Sequence, residues 1–285
     1  MINPSPSHLD ELRSICRETR KSILHLIVHA QAGHTGGSLS EVEILVALYF
    51  SVLRIRPEEP QWEQRDRFIL SKGHATPGYY AVLAQRGYFP TEWLKMFDAI
   101  DSPLQGHPCM VRTPGVDFST GSLGQGLSSA IGMVLGRDAK NLSFHVYCLL
   151  GDGELQEGQI WEAAMYAGWK KLKGLVAIVD YNKVQLSGIV RDQLDLEPLA
   201  AKWEAFGWQT LTCDGHDLSQ VLDRLQEAKE RSQTGPVILF AHTIKGKGVS
   251  FMEGLYEWHA RCPTEEERIK ALAEIDPCTY GATTP

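Results

Sequence analysis

Long apolar runs are missing from this chain. Nowhere in its 285 residues does an uninterrupted hydrophobic stretch approach the ~20 residues that a bilayer crossing demands, and MINPSPSHLDEL lacks a basic segment leading into an apolar one. A cytoplasmic protein with no membrane partner is expected. Runs of Lys and Arg are missing too. With a net charge of -7 and a pI near 5.8, the electrostatic footprint of a nucleic-acid surface is lacking. Cysteines are few and scattered: Cys16, Cys109, Cys148, Cys213, Cys262 and Cys278 form no C-x-x-C pair, which excludes a zinc ribbon and a disulfide framework. The dinucleotide fingerprint G-x-G-x-x-G is absent after any strand. GDGELQEG has Leu155 and Gln156 around the place of the third glycine, and GSLGQG follows no strand.

What is present is an ordinary globular composition, 43% hydrophobic and 22% charged, without repeats. From His8 to Ala32, Leu9, Leu12, Ile15, Cys16, Ile23, Leu26, Ile27 and Ala30 recur at helical steps, and Gly33 ends the pattern. GHTGGSLS reads as a loop. Ser40 with Glu43 three residues on predicts a capping box opening a helix to about Leu53. RDRFILS predicts a strand, KGHATPG a loop, and residues 79–86 a helix. From FHVYCLL onward, strands (FHVYCLL, LVAIVD, WQTLTCD, PVILFAH) alternate with helices of ten to fifteen residues, and a charged helix follows Pro263. Near-continuous apolar strands between helices imply a parallel sheet covered on both faces. The fold class expected is therefore α/β, a doubly wound, mostly parallel sheet in one domain over 1–285, with flexible ends at 1–7 and 277–285.

In such a sheet ligands gather at the carboxyl ends of the strands. Two loops there carry oxygen donors: Gly151-Asp152-Gly153 after FHVYCLL and Asp180-Tyr181-Asn182 after LVAIVD. Gly-Asp-Gly is equally good turn chemistry when read alone. Its aspartate would repel a bare phosphate, but a divalent cation between the two reverses the electrostatics, and Asp and Asn oxygens suit a hard cation. The glycines let backbone N–H groups approach a diphosphate, and the next helix offers its positive end. Three histidines, His34, His74 and His107, each follow a glycine in a loop, whereas His8, His25, His29, His145 and His216 read as solvated or core; His242 fits either reading. Histidine is the side chain for proton transfer near neutrality. Lys245 and Lys247 of KGKG read as solvated first and phosphate-proximal second.

The 28 residues between Gly153 and Asn182 match the thiamine diphosphate motif, and several further blocks resemble transketolase in the family's order. They are DRFILSKGHA, QGHP with PGVDFSTGSLGQGLS, GDGELQEG with DYNKVQLSG, and HTIKGKGVSFMEGLYEWH. Departures are small: Tyr181 precedes Asn182 where two asparagines are frequent, and Ser122 stands where many members have proline. The resemblance implies a diphosphate-binding domain with thiamine diphosphate as cofactor and Mg²⁺ as metal, Ca²⁺ and Mn²⁺ being alternatives. Asp152, Asn182 and the Val184 carbonyl would hold the metal. His74, Gly121, Leu123, Gly151, Asp152, Gly153, Glu154, Asn182 and His259 would contact the cofactor. His34, His74, His107, His259 and Glu157 would be catalytic, with Glu157 at a subunit contact. It further implies ketol transfer between sugar phosphates, with the pyrimidine-binding and C-terminal domains carried by a separate subunit in an α2β2 heterotetramer. Deoxyxylulose phosphate synthases and 2-oxo acid dehydrogenase components share GDG and the later asparagine; TGSLGQGLS and DRFILSKGHA favour transketolase. A non-catalytic cofactor-binding scaffold would need none of the histidines. A nucleotide-binding oxidoreductase ranks last.

Overall fold

The computed structural model describes residues 5–276. Near-continuous apolar strands build one five-stranded sheet with two buried faces. In chain order, helices α1 (Pro6–Ala30), α2 (Thr35–Ser40) and α3 (Val42–Ala47) precede strand β1 (Arg67–Leu70). Helices α4 (Thr76–Arg86) and α5 (Gln125–Ala139) follow, then β2 (Val146–Gly151), α6 (Gly158–Lys170) and β3 (Leu175–Tyr181). A small hairpin, β4 (Val184–Gln185) and β5 (Gly188–Ile189), leads through α7 (Val190–Gln193) and α8 (Leu199–Ala205) to β6 (Gln209–Asp214), α9 (Leu218–Arg231), β7 (Val237–His242) and α10 (Glu265–Ile275). The order across the sheet is β1-β2-β3-β7-β6 and every pairing in it is parallel.

Odd and even strand residues divide between two cores. Tyr147, Leu149, Val176, Ile178, Val237 and Leu239 pack under α1, α3, α4 and α9, while Val146, Cys148, Leu150, Ala177, Val179 and Ile238 pack under α5, α6 and α8. This is the two-sided burial that the near-continuous apolar strands require. Register then sets the site: Leu70 lies opposite Leu149, Gly151 opposite Asp180, and Asp180 opposite Ala241. The loops leaving β1, β2, β3 and β7 therefore emerge at one edge.

Several local expectations change. GHTGGSLS is not a loop. Its residues 35–40 form α2, wholly buried, because Gly36 lets the Lys245 side chain and the Trp258 carbonyl come where a Cβ would stand 2.8 and 3.0 Å away. Tertiary packing overrides the poor helix propensity of the glycines. The Ser40–Glu43 capping box does not form, because Ser40 Oγ donates to the Gly37 carbonyl and to Asp180 Oδ2, and Glu43 turns to Arg20. The helix begins instead at Val42 and closes with a π-helical turn over Leu48–Val52. KGHATPG is largely helical, since α4 starts at Thr76 with Pro77 in its first turn. Of the ends expected to be flexible, 1–4 and 277–285 fall outside the described residues, whereas Ser5 caps α1 and residues 6–7 belong to it. Among the described residues no helix is long and apolar enough to cross a membrane.

Candidate active site

The four loops at the carboxyl edge, with α2 and the segment around His259, enclose a cleft of about 350 Å³. Its lining includes His34, His74, Gly121, Leu123, Gly151, Asp152, Gly153, Glu154, Glu157, Asn182, Val184 and His259. These come from positions up to 225 residues apart. Of the residues assigned to the metal, the cofactor or catalysis, His107 alone lies outside this lining, yet its ring is 6.5 Å from that of His34 and packs beside Gly121. His74 stacks on His259 at 4.9 Å, and His34 stands 5.1 Å from His74 and 5.4 Å from His259.

Burial with the positive charge of neighbouring groups keeps these rings neutral. His34 is pushed down to about 4 by burial, then His107 and Lys245. His259 falls to about 3 by burial and Lys245, and His74 well below its usual range by burial and Lys72. The Nδ1 of His259 is buried without a hydrogen-bond partner among the described residues. Each ring is thus an uncharged donor and acceptor in the cleft, rather than an imidazolium.

The oxygen donors sit where β2 and β3 end side by side. Asp152 Oδ1 accepts from Gly153 N–H at 2.8 Å, and Oδ2 accepts from Lys183 N–H. Asn182 Oδ1 accepts from Val184 N–H at 3.0 Å, while its Nδ2 donates to Asp180 Oδ2 at 3.0 Å. Burial, followed by the charge of Asp180, raises the Asp152 carboxyl to about 7. An uncompensated buried carboxylate of this kind is stabilised by a cation beside it. Among the described residues no three His, Cys, Asp or Glu side chains gather into a metal cage. A cation held here would use Asp152, the Asn182 amide and the Val184 carbonyl, and complete its shell with phosphate oxygens; hard all-oxygen donors of that kind suit Mg²⁺.

Beneath these donors lies an ion cluster that sequence reasoning missed. Lys72 Nζ is 2.6 Å from Asp180 Oδ2 and 2.8 Å from Glu41 Oε2, all three residues being buried. Asp180 also accepts from Ser40 and Thr243. Burial alone would raise the Asp180 carboxyl; Lys72 overrides it and holds the group below its usual range. Glu41 goes the other way. Burial lifts it to about 8 against the pull of Lys72, whose charge Asp180 already satisfies with better hydrogen bonding. Glu154 is structural in its contacts: Oε1 accepts from Ser71 Oγ at 2.5 Å and Gly124 N–H at 2.8 Å, and Oε2 from Gly151 N–H at 3.0 Å. It ties three loops together and lines the cleft with its buried side chain.

Lys245, expected in solvent, is 2% exposed and donates to the Val184 carbonyl at 3.0 Å. Burial and the charge of Lys72 bring it down to about 8. Glu157 is exposed at the cleft mouth, as the residue before the first turn of α6. Gln185, whose Oε1 is buried without a hydrogen-bond partner among the described residues, also faces the cleft; nothing in its sequence context marks it.

This architecture has close counterparts. A family model described as "Transketolase, thiamine diphosphate binding domain" matches residues 13–275. The chain belongs to the transketolase family. It is 47% identical over 257 residues to a subunit of the 6-deoxy-6-sulfo-D-fructose transketolase of Clostridium sp. (strain MSTE9), covering 90% of this chain and 93% of that one. It is 43% identical over 275 residues to one subunit of the apulose-4-phosphate transketolase of Actinobacillus succinogenes, covering 96% of this chain and 99% of that relative. Transketolase from Leishmania mexicana superposes with a TM-score of 0.87 at 28% identity, covering 93% of this chain and 41% of that enzyme. The family's domain therefore spans nearly all of this chain and about two fifths of that longer transketolase.

Proposed function

We propose that this chain is the thiamine diphosphate-binding subunit of a two-chain transketolase, transferring a two-carbon ketol unit from a ketose phosphate or related ketose to an aldose. The observation that carries the reading is the convergence, in one cleft, of the Asp152–Asn182–Val184 oxygen donors with the neutral histidines 34, 74 and 259. Bound thiamine diphosphate supplies the carbon centre that carries the two-carbon unit. Asp152, Asn182 and the Val184 carbonyl hold Mg²⁺, and Gly151, Gly153 and the neighbouring backbone approach the diphosphate. Gly121 and Leu123 flank the cofactor rings. The neutral imidazoles of His34, His74 and His259, with His107 beside them, orient substrate hydroxyls and exchange protons with them, a task for which an uncharged ring offers both a donor and an acceptor.

Glu157 is exposed where a second polypeptide meets the cleft. The reading assigns to that polypeptide the glutamate that activates the cofactor, the surroundings of the pyrimidine ring, and the groups that read the substrate phosphate. Two relatives named as transketolase subunits match this chain over nearly their whole length, which supports a division of the enzyme into two chains. In this reading two copies of each chain assemble as α2β2.

The test is ketol transfer with thiamine diphosphate and Mg²⁺, using the chain alone and then mixed with a second chain bearing the pyrimidine-binding domain. Xylulose 5-phosphate, apulose 4-phosphate and 6-deoxy-6-sulfo-D-fructose are offered as donors, with pyruvate as a control. Turnover in the mixture only is expected. Full turnover by the chain alone would refute the division into two chains, and turnover of pyruvate would move the enzyme to a neighbouring class.

A further inference from the structure

The turn that carries the buried Lys245 is held from behind by a side chain outside the cleft lining. His216, in the loop between β6 and α9, places Nε2 2.8 Å from the N–H of Ile244, the residue before Lys245. That N–H donates, so Nε2 is the accepting nitrogen and the ring proton lies on Nδ1. Nδ1 faces Glu43 Oε2 at 3.0 Å and donates to it. Glu43 is fully buried in α3 and paired with Arg20 of α1 at 2.8 Å. Arg20 completes the arrangement from the other end of the same turn, its Nε donating to the Lys247 carbonyl at 3.0 Å. Its side chain lies against Gly248, where a Cβ would be 3.0 Å from Arg20 Cδ.

The turn 243–248 is thus fixed at Ile244 and Lys247 by groups that share one carboxylate, and between those two points Lys245 enters the cleft. We propose that His216 is a positioning residue for the diphosphate site, and that the Arg20–Glu43–His216 relay sets the backbone that delivers the Lys245 ammonium. The inference rests on the reading of the cleft as a diphosphate site. Its physical basis is the tautomer: Glu43 fixes the proton on Nδ1, which leaves Nε2 able to accept from Ile244.

The experiment measures the dissociation constant of thiamine diphosphate in saturating Mg²⁺ by calorimetry on the full chain and its variants, with thermal unfolding recorded alongside. His216→Phe removes the acceptor and should weaken binding about tenfold, the upper end of what one hydrogen bond contributes. His216→Gln keeps an amide oxygen for Ile244 N–H and an amide N–H for Glu43, and should restore binding to within about threefold. In a Lys245→Met background, His216→Phe should add little further loss, because the residue it positions is gone. Equal losses in His216→Phe and His216→Gln, or full additivity with Lys245→Met, would overturn the proposal and leave His216 a general packing residue. Absence of any thiamine diphosphate binding by the unaltered chain would instead overturn the reading of the cleft, and the proposal with it.

Discussion

Asp152 concentrates the electrostatic tension of the site in one carboxyl group. Its charge is disfavoured by burial and by Asp180, yet its oxygens are the ones a cation needs. Asp152→Asn relieves the repulsion from Asp180 but leaves one of two backbone N–H groups without its acceptor, so it should lower the melting temperature of the cofactor-free chain only modestly while lowering affinity for thiamine diphosphate with Mg²⁺ by about 100-fold, read by calorimetry. The histidines give a pH signature. His34 titrates near 4 in the fold against its ordinary value of 6.5, so between those values the unfolded chain binds the extra proton. Its contribution to stability is complete above about 6.5 and is lost as pH falls toward 4. A series of melting curves over that window should fall less steeply in His34→Asn than in the unaltered chain. Residues of this kind were legible where chemistry and backbone grammar coincide, as in Gly-Asp-Gly and in the glycine-histidine loops. Lys72 and Glu41 were not, and Asp180 was legible only as a loop carboxylate beside Asn182, because only the fold brings the three together. Lys245 reads as solvated beside two glycines, and its burial depends on Gly36, more than 200 residues earlier.

At the scale of elements, α5 enters the site through a glycine. A Cβ on Gly126 would stand 2.5 Å from the Ser71 Cβ and 2.8 Å from its Cα, so α5 can approach the end of β1 only without a side chain there. Gly126→Ala should cost about 1–3 kcal/mol in denaturant unfolding and loosen the Ser71–Glu154 hydrogen bond beside it. The strands and the long helices were readable from periodicity because burial on both faces leaves an apolar record along the chain. α2 escaped that reading, since its TGGS composition argues for a loop and only packing on all sides makes it helical. α5 carried no assignment beyond its family block; its small, glycine-rich first turns dilute the apolar period that marks a helix.

For the whole molecule, the cleft draws on the loops of β1, β2, β3 and β7 and on His259, so a ligand bound there stitches distant parts of the fold together. Saturation with thiamine diphosphate and Mg²⁺ should raise the melting temperature by about 5 °C, with EDTA reversing the gain, as mass action predicts for a ligand well above its dissociation constant. The doubly wound class was legible because it follows from alternation of elements, whereas the placement of β7 between β3 and β6 is settled by which helices must cover which face. That placement has a consequence for how the protein is made. On the ribosome β6 is synthesised before the strand it pairs with, and the outer side of β3 stays open until residues 237–242 have emerged. Lys245 and His259 arrive later still, so a nascent chain carries an incomplete sheet with a bare central edge and half a cofactor cleft. Interrupted synthesis anywhere before β7 yields a fragment prone to pair with its neighbours, and the cofactor can act as a folding aid only after nearly the whole domain has left the exit tunnel.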